Sequence, residues 1–116
     1  MFDFEKFPVY IKAEQLYALV LKILQVKELD RNTKDQLKRA AMSIILNIAE
    51  GAGKYSIADK KNFYIISRGS VNECVAILRI LKIEKKISDE LFNKGYEFLL
   101  EIAKMLTALV NSLVKK

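Results

Sequence analysis

The chain has no histidine and no tryptophan, one cysteine, one proline and four glycines in 116 residues. Each scarcity excludes something. Without histidine the usual general base near neutral pH is missing, and so is the commonest nitrogen ligand for metals. No metal site or cofactor is expected. A single cysteine, Cys74, cannot close an internal disulfide and suits a reducing cytoplasm. Scarce proline and glycine leave little to interrupt helices. Long apolar runs are also missing: the stretch at residues 43–49 falls well short of the ~20 residues a membrane span needs. The first ten residues, MFDFEKFPVY, carry acids early and lack the basic–apolar–small layout of a signal peptide. A cytoplasmic protein with no membrane partner is expected.

What remains is rich in Ala, Leu, Ile, Lys and Glu. Apolar residues make up 52% and charged residues 29%, which places the chain among globular rather than disordered proteins. The length allows one real core, and no linker, repeat or low-complexity tract divides it. A single domain over residues 1–116 is therefore expected. The formal net charge of +6 suits an anionic partner such as RNA or DNA, although lysine-rich proteins are often simply soluble.

Four segments have helical spacing and recognisable ends. The first spans residues 8–29, with Pro8 in its opening turn and Leu16, Leu19, Val20, Ile23 and Leu24 on one face. Thr33 and Gln36 have capping-box spacing and open a second helix, 33–50. Gly51 and Gly53 loosen or end it. Ser56, with Asp59 three residues on, caps a third helix over 57–86. Ser88 caps the fourth, whose first turn holds Asp89 and Glu90 and whose end carries Lys115 and Lys116, each the sign that the helix dipole favours. Long helices with short links make an all-α, antiparallel up-down-up-down four-helix bundle the natural architecture.

Within that frame, residues 39–54 stand out. On a helical wheel Arg39, Ser43, Asn47, Glu50 and Lys54 share a sector roughly 80° wide. Ala40, Met42, Ile44, Ile45, Leu46, Ile48 and Ala49 occupy the remaining ~240°, far more than one core-facing stripe. Such a helix needs cover on several sides, which points to assembly with further copies of the chain.

The third helix carries a second pattern. Lys61, Arg68, Asn72, Arg79 and Lys86 fall in one narrow sector with Lys82 beside them, forming an acid-free line about 37 Å long. Such a line can follow a phosphate backbone; the alternative is a solvated outer face. Ser70 and Glu73 lie instead in the apolar sector of this helix. With Arg39, Ser43, Asn47 and Glu50 they suggest a polar network that fixes helix register or an oligomer interface, since unpaired buried polarity is costly. A carboxylate pair, Glu50 with Glu73, acting as acid and base is the catalytic alternative. Nothing beside the pair supplies a nucleophile, a metal-ligand set or a phosphate loop. The run 51–54, Gly-Ala-Gly-Lys, lacks phosphate-loop spacing and a preceding strand. Cys74 sits on the apolar face as a small core residue. Gly69, inside a helix, suggests close approach of a neighbouring helix.

The blocks Gln36-Leu37-Lys38-Arg39-Ala40-Ala41, Ser43-Ile44, Asn47-Ile48-Ala49-Glu50-Gly51 and Gly53-Lys54, followed by Phe63, Gly69-Ser70 and Glu73, resemble one family. It is the four-helix-bundle proteins encoded in intervening sequences of bacterial 23S rRNA genes. The chain departs from it in lacking a proline between the first two helices and in having Lys54 where arginine is frequent. The resemblance implies a ring-shaped homo-oligomer, a pentamer, with no established enzymatic activity. A similar fold and ring occur in the accessory variability protein of diversity-generating retroelements. That likeness implies a scaffold with a reverse transcriptase as protein partner, the alternative to a protein that binds RNA.

Overall fold

A computed structural model describes residues 1–114. Among them, helix α1 spans Pro8–Ile23, α2 Arg31–Ala52, α3 Ile57–Ile83 and α4 Asp89–Val114. A short 3-10 turn, Asp3–Lys6, precedes α1. No strand occurs among the described residues. Lys115 and Lys116, expected to close the fourth helix, lie outside them.

Local chemistry accounts for the helix starts. Pro8 occupies the first turn of α1, where its missing N–H has no partner to lose. Ser56 accepts the Asp59 N–H at 3.0 Å, and Ser88 accepts the Leu91 N–H at 3.1 Å, as their spacing predicted. The second start differs from expectation. Asp30, not Thr33, is the cap, accepting the Thr33 N–H at 2.7 Å, so α2 begins at Arg31. That bond holds the Asp30 carboxyl below the usual carboxylate range.

Two helix ends come earlier than the periodicity suggests. The first helix stops at Ile23 instead of running to residue 29, because Val26 and Leu29 fold back against the core. The third stops at Ile83. Lys85 takes a left-handed φ of 57°, the Lys86 N–H donates to the Leu81 carbonyl at 2.9 Å, and Ile87 is buried beyond. This is the 6→1 bond and hydrophobic contact of a Schellman ending, here without its usual glycine.

Pairings between helices fix their directions. Along the α2–α3 seam, Lys60 reaches the carbonyls of Gly51 and Ala52, Ser67 reaches Ile44 and Ser70 reaches Ser43. One number rises while the other falls, so the pair is antiparallel. Arg68 with Thr107 and Lys82 with Phe92 show the same for α3 and α4, as do Lys12 with Glu101 and Leu19 beside Gly95 for α1 and α4. Each helix packs on its two neighbours around the bundle, and the backbones of the diagonal pairs stay apart among the described residues. The result is the expected up-down-up-down four-helix bundle.

The core is a column of aliphatic side chains drawn from every helix. Leu16, Val20 and Ile23 of α1, Leu37, Ile44 and Ile48 of α2, Val71, Leu78 and Leu81 of α3 and Leu99, Ile102 and Leu106 of α4 are buried in one cluster. Burying one such side chain is worth about 1.5–3 kcal/mol. Two glycines permit close approach. A Cβ on Gly51 would lie 2.7 Å from the Tyr64 ring, and one on Gly95 would lie 2.8 Å from Leu78. Gly69 corrects the expectation of a close helix within the chain, since a Cβ there would meet nothing within 4 Å.

Candidate nucleic-acid interface

Regular helical backbone from Ile57 to Ile83 carries Lys61, Arg68, Asn72 and Arg79 out on one side of α3, all exposed. Lys82 stands beside them with its ammonium 4.4 Å from the centre of the Phe92 ring. None of these four cations forms an ion pair among the described residues. Arg68 is held across the α3–α4 groove by donating its Nε–H to Thr107 Oγ1 at 2.8 Å. Lys86 departs from the line. It lies beyond the end of α3, 3.7 Å from Glu84 and close enough to Asp30 to help hold that carboxyl ionised. The cationic row therefore runs from Lys61 to Lys82, about 31 Å at helical rise, shorter than the spacing alone implied.

Helix α4 completes this face. Two adjoining hollows between α3 and α4 share Arg68, Leu100 and Ala103. Arg79 and Tyr96 border one and Lys104 the other, and no acid lines either. Reading the sequence missed Lys104 and Tyr96. Their signal was present as an acid-free outward stripe on α4, Tyr96, Leu100, Ala103, Lys104, Thr107, Ala108 and Asn111, at helical spacing.

The second polar pattern resolves into a small cluster on the α2–α3 seam. Asn47 Nδ2 donates to the Ser43 carbonyl at 2.8 Å and to Ser43 Oγ at 3.0 Å. Ser70 Oγ lies 2.8 Å from Ser43 Oγ and 3.3 Å from the Ile66 carbonyl. Buried Ser67, unnoticed in the sequence because it is small and sits among isoleucines, donates to the Ile44 carbonyl at 2.9 Å. The three charged members expected alongside are not brought into this cluster. Arg39, Glu50 and Glu73 are exposed, and Glu50 lies 3.6 Å from Lys54. The physical reason is rotation: one further step around either helix carries a side chain from the seam into solvent. Glu73 does not line the shallow cleft formed by Leu46, Ala49, Glu50, Gly53 and Lys54. No group of three or more acids and cysteines is placed to hold a metal among the described residues.

Outside the seam, both helices expose apolar ridges. On α2 the ridge is Met42, Leu46 and half-buried Ala49, continued by Gly53 just past the helix end; on α3 it is Ile66, Gly69, Ala76, Ile80 and Ile83, interrupted by the exposed carboxylate of Glu73. Both have the alternating three-and-four spacing of a coiled-coil seam. Leu46 is 54% exposed and Ile83 79%. No described helix is long and apolar enough to cross a membrane.

A protein of unknown function from the S23 ribosomal protein family of Bacteroides thetaiotaomicron has a similar solved structure. It is 25% identical, with a TM-score of 0.82, and the match covers 88% of this chain and 97% of that one. No curated protein matches the chain. A family profile described as 23S rRNA-intervening sequence protein matches residues 5–108, which takes in all of α1, α2 and α3 and most of α4. The helix order, the signature residues on α2 and α3 and this match agree, and the chain belongs to the 23S rRNA-intervening sequence protein family.

Proposed function

We propose that the protein is a non-enzymatic, self-assembling protein that binds RNA electrostatically through the face of α3 bearing Lys61, Arg68, Arg79 and Lys82. One observation carries the reading: four cations in a row with no acid among them and, among the described residues, no ion pair to neutralise them. Solvated helix faces ordinarily mix signs. A row of one sign repels itself and gains when a polyanion releases its condensed counterions. The family's association with rRNA intervening sequences makes RNA the polyanion of first interest.

Self-assembly rests on the two outer ridges. Apolar side chains at coiled-coil spacing are stable in water only when another surface covers them. Gly69, open on its own chain, lies in the α3 ridge, where its lack of a side chain would let a second helix approach. A homopentameric ring is the assembly proposed. It needs a head-to-tail contact between unlike faces, which closes when the rotation between subunits divides the circle.

The test of RNA binding is titration against salt. The wild type should bind with affinity that falls as salt rises. Replacing Lys61, Arg68, Arg79 and Lys82 together by alanine should flatten the log–log slope by about 3, at about 0.7 per single-strand contact. Binding that is unchanged and insensitive to salt would overturn the electrostatic mechanism.

A further inference from the structure

The groove between α3 and α4 has a chemistry that the cationic row alone does not explain. Its floor is apolar and shallow, built from Val75, Leu100 and Ala103, with Ala76 at the outer edge toward the α3 ridge. At one side stands Tyr96, 39% exposed, its ring 5.8 Å from that of Phe92 at an interplanar angle of 23°. Arg68 and Arg79 rise from the α3 wall about 16 Å apart along the axis. Lys104 faces Arg68 from α4, and Asn72 and Asn111 supply amides that both donate and accept. A duplex meets such a surface with phosphates and 2′-hydroxyls while its bases stay stacked inside, which leaves the tyrosine no base face to pair with.

We infer that this groove holds single-stranded RNA, with a base stacked on Tyr96 over the apolar floor, a neighbouring phosphate on Arg79, and phosphates further along the strand on Arg68 and Lys104. The inference rests on the RNA-binding reading above and narrows it from any polyanion to an unpaired strand. Each part of the groove matches a part of a nucleotide. The tyrosine and aliphatic floor accept the π-face of any base, the guanidinium groups hold phosphate, and the asparagine amides meet base edges. The Arg68–Thr107 hydrogen bond fixes one guanidinium in place before the strand arrives, which lowers the entropy lost on binding. An acidic amphipathic helix is the competing occupant on charge grounds. It requires deep pockets for large anchor side chains, and Ala76, Ala103 and Ala108 leave the two hollows shallow and open instead.

The experiment compares a fluorescein-labelled single-stranded RNA of mixed sequence with the same strand annealed to its complement. Binding is read by anisotropy at one salt concentration for the full chain and its variants. The single strand should bind more tightly than the duplex. Tyr96→Leu keeps apolar bulk and so should fold as wild type by circular dichroism, yet it should lose about tenfold in single-strand affinity, within the value of one base stack. Tyr96→Phe should retain wild-type affinity, and duplex binding should not respond to either change. Equal affinity for strand and duplex, with Tyr96→Leu silent but the four-alanine variant weakened, overturns the groove inference and leaves RNA binding standing. No salt-dependent binding of either RNA overturns both. Displacement of the groove's ligand class also counts against it: an acidic Leu/Glu helical peptide that binds in a Tyr96-dependent way, while RNA binding ignores Tyr96, assigns the groove to protein.

Discussion

Cys74 shows how burial decides the chemistry of a single residue. Its thiol is closed into the core, and burial, helped by the neighbouring Glu73 charge, pushes it up to about 12. The thiolate is the reactive form, so a thiol reagent at neutral pH should leave the native protein unmodified and label it fully in denaturant; rapid native labelling would contradict the buried placement. The same shift has a sign for stability. The folded chain keeps this proton where the unfolded chain gives it up, so the contribution is complete below the ordinary thiol range, near pH 9, and fades as pH rises toward 12. Gly51 is a steric case. Gly51→Ala would force a methyl against the Tyr64 ring and the Phe63 Cβ, at 2.7 Å and 3.2 Å respectively. Overpacking of this kind costs about 1–3 kcal/mol, which chemical denaturation should resolve; an alanine variant as stable as wild type would mean that the seam can open. Asn47 and Ser70 were legible in the sequence as polar residues out of place. Ser67 was not, since a lone serine on a helix carries no sign of which carbonyl it faces.

Among elements, the helix ends separate local from tertiary control. The starts at Pro8, Ser56 and Ser88 were readable because a cap acts within one turn. The ends of α1 and α3 were not, because hydrophobic side chains beyond them fold back to close the bundle. The exit from α3 holds Lys85 at a φ of 57°, which costs an L-residue roughly 1–2 kcal/mol. Lys85→Gly should therefore raise stability by about 0.5–1 kcal/mol, after the entropy a glycine adds to the unfolded chain. A drop in melting temperature would show that the lysine side chain makes up for its backbone. The α2 start should respond to acid. Asp30 caps as a carboxylate and is held below the usual range. Its contribution is complete above the ordinary carboxylate range and is lost as pH falls through the depressed value.

At the scale of the whole molecule, the outstanding quantity is the amount of apolar surface left uncovered. The apolar breadth of α2 implies two packing jobs, one inside the bundle and one outside it. Ile44 and Ile48 are fully buried, while Leu46 and Met42 remain exposed on the opposite ridge. Light scattering of the wild type should give a mass several times the 13.3 kDa of one chain. Leu46→Glu with Ile66→Glu should reduce it to a monomer that stays folded, because neither side chain contributes to the fully buried core. A wild type that is monomeric at micromolar concentration would refute assembly, and a double variant that still assembles would move the interface elsewhere. The fold class, the helix count, two of the caps and the cationic residues of α3 were determined by the sequence alone, because periodicity and capping are properties of neighbours within a turn or two. Tertiary structure decided the rest. Pairing α3 with α4 brought Tyr96 beside Arg79 and Lys104 beside Arg68, residues 17 and 36 positions apart in the chain. Closing the bundle ended α3 before Lys86 and turned Glu50 and Glu73 outward. Distance along the chain says nothing about such neighbours, because they meet only when whole helices pack, and the helices pack to bury their apolar faces.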